Sequence, residues 1–129
     1  MNFLIVDDNL ELSHCLKNYL LDKGYNCSCL ADPPEVFEWL DSNCCDAVIM
    51  DVKMPQMDGI SLTKQVREKH PALPILMSTG LGYKEDLLQA ALAAGANGYV
   101  SKVMGPKALL IALLRIVNPT PVTVGTKAA

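Results

Sequence analysis

Five residues stand where they could act on one substrate: Asp7, Asp8, Asp51, Thr79 and Lys102. Each lies at the end of a short apolar run. Asp7 and Asp8 follow Phe3 to Val6, and Asp51 follows Ala47 to Met50. Thr79, after Ser78, closes the run from Ile75, and Lys102 closes the run through Tyr99 and Val100. Three carboxylates gathered in one pocket repel one another. At ~4 Å and an effective dielectric of ~20, each pair costs about 4 kcal/mol before screening. Such a cluster takes up a proton or a cation. Oxygen-only ligands favour a hard ion, and few carboxylates with water positions left open suit Mg²⁺ better than a closed Ca²⁺ cage. No His or Cys stands at a matching run end, which disfavours zinc. A metal ion, the Lys102 ammonium and the Thr79 hydroxyl would together receive a dianionic phosphoryl group. One of the carboxylates could then act as nucleophile and become an aspartyl phosphate.

That chemistry requires a fold that brings the run ends together. The first, third and fourth runs (Phe3–Val6, Ala47–Met50, Ile75–Met77) are apolar at every position. Strands covered by helices on both faces read this way. Tyr25 to Leu30 and Tyr99-Val100 are the other candidate strands. Helical patterns alternate with them. The first places Leu12, Leu16, Tyr19 and Leu20 on one face and ends at Gly24. The second opens on Asp32-Pro33-Pro34-Glu35, with Asp32 as the expected cap. The third follows Asp58 and carries Ile60, Leu62 and Val66. The fourth runs from about Lys84 to Ala94 and stops at Gly95, and the fifth begins near Pro106 with Leu109, Leu113 and Ile116 on one face. The pattern is (βα)5. Right-handed crossovers then predict a flavodoxin-like, doubly wound α/β fold with a parallel five-stranded sheet in the order 2-1-3-4-5. Ligands in such sheets bind at the carboxyl ends of the strands where the order reverses, here between strands one and three.

Composition bounds the rest. The chain has 129 residues, 50% hydrophobic and 19% charged, with a net charge of −3. One domain is expected over residues 1–117, with a linker-like, proline- and threonine-bearing tail over 118–129. The acidic balance argues against direct nucleic-acid contact. No apolar run reaches the ~20 residues of a membrane span. Five cysteines make an odd count without a disulfide framework, so a reduced, cytoplasmic protein is expected.

The pattern resembles the receiver domain of two-component response regulators. The resemblance rests on four elements in order: Asp7-Asp8, the stretch Asp51-Val52-Lys53-Met54-Pro55-Gln56-Met57-Asp58-Gly59, Ser78-Thr79-Gly80, and Gly98-Tyr99-Val100-Ser101-Lys102. It covers Asn2 to about Val117. It implies that Asp51 accepts a phosphoryl group from a histidine kinase or phosphotransfer protein in a Mg²⁺-dependent reaction. Asp8, Asp51 and the backbone carbonyl of Lys53 would hold the ion, with Asp7 acting through a bound water. Lys102 and the backbone of Lys53 and Gly80 would contact the phosphoryl oxygens. Thr79 and Tyr99 would form the switch, read out on the face of the fourth helix, fifth strand and fifth helix. It also implies a regulatory part of a transcription regulator, with a free-standing relay protein or an unphosphorylated docking module as alternatives. Turnover catalysis is not expected: a phosphohydrolase needs a general acid beside the nucleophile, and Val52 and Lys53 stand there. Two positions that tune phosphoryl lifetime in the family are Lys53 and Leu81, neither an acid nor an amide, so slow self-dephosphorylation is expected. Val103 replaces the proline that usually follows the lysine.

Several features also have plainer readings. The aspartates could cap the following helices. Cys27 and Cys29 alternate on one strand and read as small buried hydrophobes, while Cys44 and Cys45 both lie in a loop, where one or the other is expected to be exposed. His14 and His70 read as solvated. Met54 and Met57 read as packing for their loop. On the fifth helix, Ile111 and Leu114 fall off the core stripe and suggest an apolar contact for a partner or a homodimer.

Overall fold

A computed structural model describes residues 1–54, 57–80 and 84–118. Five strands, β1 (Asn2–Val6), β2 (Asn26–Leu30), β3 (Ala47–Asp51), β4 (Ile75–Thr79) and β5 (Gly98–Ser101), pair in parallel in the order β2-β1-β3-β4-β5. The helices are α1 (Leu10–Asp22), α2 (Glu35–Ser42), α3 (Gly59–Lys69), α4 (Glu85–Ala94) and α5 (Gly105–Val117), and a 3-10 turn, Lys102–Met104, joins β5 to α5. The strand order is the predicted one. Among the described residues, no helix is long and apolar enough to cross a membrane.

Alternation along the strands builds two cores. Leu4, Val6, Val48, Met50, Ile75 and Met77 meet α2, α3 and α4 through Val36, Leu40, Leu62, Val66 and Ala91. The intervening Phe3, Ile5, Ala47, Ile49 and Leu76 meet α1 and α5 through Leu20, Leu109, Leu110 and Leu113. Consecutive strand residues point to opposite faces, so a strand covered on both sides must be apolar throughout. Register then levels the strand ends. Val6 pairs with Met50, Asp51 with Ser78, and Thr79 with Ser101.

Helix boundaries follow from their caps, with two departures from expectation. Asn9 accepts from Leu12 N at 3.1 Å, and Asp58 accepts from Ser61 N at 2.8 Å. Gly95 ends α4 in a left-handed conformation, φ 108°, which a Cβ would strain. Asp32 does not cap α2. Its backbone carbonyl accepts from Glu35 N and that of Pro33 from Val36 N, so the proline pair forms an entry turn and the helix starts at Glu35. Leu12 does not join the core either. It lies in the first turn of α1 and is 51% exposed, while Ser13 takes the buried position.

The opposite end of the molecule is held by Arg67, which the sequence patterning did not single out. Its guanidinium donates to the carbonyls of Gly95, His70 and Pro71 and to Asn97 Oδ1 at 2.7 Å, and Asn97 Oδ1 also accepts from Ile75 N. One side chain thus ties the ends of α3 and α4 to the start of β4. Charge-assisted bonds contribute more than neutral ones, and stranded carbonyls cost free energy. Arg67→Ala is expected to lose about 2–4 kcal/mol of stability in urea unfolding; a loss below about 1 kcal/mol would contradict this role. His70 is half-buried rather than solvated: it caps α3, and its Nε2 lies 3.9 Å from Asp41.

All five cysteines are free. Cys15 and Cys44 are exposed. Burial pushes the Cys27 thiol up to about 12 and the Cys45 thiol up to about 11, and also raises Cys29. Thiolate is the reactive form. Iodoacetamide at pH 8 should therefore label two thiols quickly and three slowly in the native protein, and all five in denaturant. A mass time course with a third label as fast as the first two would count against this packing.

Candidate functional site

The levelled strand ends bring Asp7, Asp51, Thr79 and Lys102 to the carboxyl edge of the sheet, with Asp8 beside them. Carboxylate oxygens of Asp7, Asp8 and Asp51 all lie within 4.8 Å of one another. Asp7 and Asp51 are buried and Asp8 is exposed. Lys102 Nζ sits between the two buried acids, 2.6 Å from Asp7 Oδ2 and 2.9 Å from Asp51 Oδ1. The remaining oxygen of Asp7 accepts from Asn9 N at 2.9 Å. Asp7 therefore locks the entry to α1 and anchors the lysine at once. The 3-10 turn that carries Lys102 is closed by Ser101, whose hydroxyl accepts from Val103 N at 3.4 Å. Val103 itself is 76% exposed.

The electrostatics show an unbalanced cluster. Burial pushes the Asp51 carboxyl up to about 6, and the charges of Asp7 and Asp8 add to that rise against the pull of Lys102. Burial alone would lower the Lys102 ammonium, but its hydrogen bonds to Asp7 and Asp51 outweigh it and hold the group above its usual value. One ammonium faces three carboxylates, which leaves an excess of negative charge. All-oxygen donors at this spacing, one of them open to solvent, fit a hard divalent cation. The acids are not simple helix caps: α1 is capped by Asn9, and Asp51 is the last residue of β3.

Thr79 is 1% exposed at the end of β4. Its hydroxyl is hydrogen-bonded to the half-buried Tyr99 phenol, whose pKa is raised by burial. Gly80 is exposed, and a Cβ there would meet open space. The Lys53 side chain is exposed. Leu81, Pro55, Gln56 and the tail from residue 119 lie outside the described residues. Ile111 is 44% exposed, off the core stripe. Leu114 is not: it is half-buried and packs on the α1–α5 core, because the apolar stripe of α5 also takes in Leu110, Ala112 and Val117.

Gly59 has a role that motif reading left unassigned. A Cβ there would run into the carbonyl oxygen of Asp51, and Gly59 N donates to Val52 O at 2.7 Å. Only glycine lets α3 start so close to the end of β3. The Asp58-Gly59 pair, a cap followed by the smallest residue, was the available signal.

The fold and the site together define a class: a parallel α/β domain with an acidic, lysine-anchored pocket at the topological switch point. Residues 3–114 match the family model described as response regulator receiver domain. The chain is 35% identical over 101 residues to the DNA-binding transcriptional regulator NtrC of Escherichia coli, covering 76% of this chain and 21% of that protein. It is 34% identical over 122 residues to the response regulator MprA of a Mycobacterium species, covering 92% of this chain and 53% of that protein. Among solved structures, the chemotaxis protein CheY4 of Vibrio cholerae superposes with a TM-score of 0.83 at 32% identity, covering 89% of this chain and 97% of that one. The chain belongs to the response regulator receiver domain family. It spans about a fifth and about half of the lengths of NtrC and MprA, respectively.

Proposed function

We propose that Asp51 is the phosphoacceptor of a two-component switch. The observation that carries this reading is the Lys102 ammonium held between Asp51 and Asp7, 2.9 and 2.6 Å away, beside an uncompensated acidic cluster. An Asp51 carboxylate oxygen attacks phosphorus. The bond from phosphorus to the donor breaks, and the donor (a phosphohistidine imidazole of a kinase or phosphotransfer protein, or acetate from acetyl phosphate) leaves with the electron pair. Asp8, Asp51 and the Lys53 carbonyl would hold Mg²⁺, with Asp7 contributing through water. The ion supplies charge neutralisation at the phosphoryl oxygens. Lys102 moves from carboxylate to phosphoryl oxygen. The backbone N–H groups of Lys53 and Gly80 donate to the same group. Thr79 exchanges its bond with Tyr99 for one to the phosphoryl group, and Tyr99 follows into the space released. The added charge of about −1.5 to −2 biases this pair.

Incubation with Mg²⁺ and acetyl phosphate should add one phosphoryl mass to the protein. The gain should vanish in Asp51→Ala and with chelator, and no gain in the unaltered protein would overturn the reading. The side chain of Lys53 offers neither a carboxylate nor an amide to hold an attacking water, so the aspartyl phosphate should be long-lived. A half-life of seconds in purified protein would refute that. We further propose that the domain is the regulatory part of a transcription regulator, a reading supported by the likeness to NtrC. Exposed Ile111 is then a contact for a second copy or an output partner.

A further inference from the structure

Two thiols stand side by side on the edge strand β2. Cys27 and Cys29 are two residues apart, so both side chains leave the same face of the sheet, the one that α1 covers. Each makes one long bond to a backbone carbonyl, Cys27 Sγ to Ser28 O at 3.8 Å and Cys29 Sγ to Ser13 O at 3.6 Å. The two side chains also interact directly, thiol with thiol. Both are free. Same-face neighbours along a strand lie ~6.6 Å apart, whereas a disulfide needs Cβ atoms ~3.8 Å apart. The pair is thus poorly placed for a disulfide and well placed to hold one bridging atom. The charge of Lys17, on α1, acts on both sulfurs. Lys17 is half-buried and, among the described residues, has no carboxylate within ion-pair distance. Cys27 and Lys17 line one open groove together with Asn26 and Ser28, which gives access from solvent. The number of ligands then selects the metal. Structural zinc takes four protein ligands. Among the described residues, Asp7, Asp8 and Asp51 form the only group of three metal-ligating side chains, so no third ligand joins the thiol pair. Soft thiolates favour copper(I), an ion that two sulfurs in line can satisfy. Two thiolates and one Cu⁺ carry a single net negative charge, which the Lys17 ammonium balances.

We propose that Cys27 and Cys29 bind one copper(I) ion as a two-sulfur bridge, with Lys17 as its counter-charge. Each thiol releases its proton to solvent, each sulfur donates a lone pair to the ion, and copper keeps its oxidation state. The site does not depend on Asp51 accepting a phosphoryl group. The test uses the full chain carrying Cys15→Ser and Cys44→Ser, which removes the two exposed thiols. Copper(I) is offered anaerobically as its bicinchoninate complex, with ascorbate present. One equivalent should pass from the coloured chelator to the protein, and X-ray absorption should show two sulfur neighbours. A large excess of Zn²⁺ should not displace it. Adding Cys27→Ala or Cys29→Ala should abolish the transfer while circular dichroism stays native; should the buried Cys27→Ala not fold, the half-buried Cys29→Ala decides. Lys17→Met should weaken binding about tenfold, as loss of an outer partner does. The proposal fails if the chelator keeps the copper, if Zn²⁺ displaces it, or if a folded alanine variant still takes one equivalent. Three or more sulfur neighbours would also overturn it, since Cys45 or a second chain would then complete the site. Equal affinity in Lys17→Met and its parent would do the same.

Discussion

Lys102→Ala is expected to slow phosphoryl uptake from acetyl phosphate by about 100-fold or more while leaving the chain folded. Removing one preorganised donor from a developing anionic centre commonly costs a factor of ~10²–10³. Lys102 has the geometry of such a donor: its Nζ already lies 2.9 Å from Asp51 Oδ1, at the acid where the new bond would form. Its loss also leaves Asp7 and Asp51 facing each other without a cation, which raises the barrier to bringing in a further dianion. Lys102→Arg should rescue little, because a planar fork is a poor substitute for a compact ammonium seated between two carboxylates. Single-turnover mass spectrometry, with circular dichroism as the folding control, decides the matter. A rate reduced by less than threefold would mean that the lysine merely braces Asp7.

The fold was largely legible because its constraints are local and repetitive. Strands covered on both faces must be apolar along their covered length, and the runs Phe3–Val6, Ala47–Met50 and Ile75–Met77 announce themselves that way. The acidic residues and Thr79 were legible for the same reason: a polar side chain that closes a buried strand is conspicuous. What escaped the sequence depends on contacts between distant segments. Arg67 reads as one more charge near the end of a helix, and its grip on Gly95 and Asn97 exists only once α4 returns beside α3. Periodicity placed Leu12 on the core face of its helix. The helix, however, starts past the end of the sheet, and the gap toward α5 is left open. Leu114 failed in the opposite direction, since α5 buries a wider stripe than one helical face suggests. The Gly59 approach to the Asp51 carbonyl is invisible to any reading that assigns glycine only to turns.

The acidic cluster that would do the chemistry should also destabilise the metal-free protein, and Asp51→Asn should reveal it. The Asp51 carboxyl titrates near 6 in the folded chain, against about 3.9 in an unfolded one. An acid whose folded pKa is raised binds its proton more tightly in the native state. Stability is therefore greatest below the unfolded value, falls as pH rises through about 4 to 6, and stays reduced above that window. A shift of two units corresponds to at most about 3 kcal/mol. The open mouth of the site lets solvent screen part of it, so about 1–2 kcal/mol is a fair expectation at pH 7. The amide carries no charge for burial, Asp7 and Asp8 to oppose, so in chelator at pH 7 Asp51→Asn should melt about 3–8 °C higher than the unaltered chain. At pH 4 the difference should disappear. Mg²⁺ should narrow the gap from the other side, raising the melting temperature of the unaltered protein by mass action and that of the variant much less, because one of the three carboxylates is gone. If Asp51→Asn melts lower than the unaltered chain at pH 7 in chelator, the Lys102 bond to Asp51 outweighs the repulsion. The site would then be a stabilising ion pair rather than a strained, cation-seeking one.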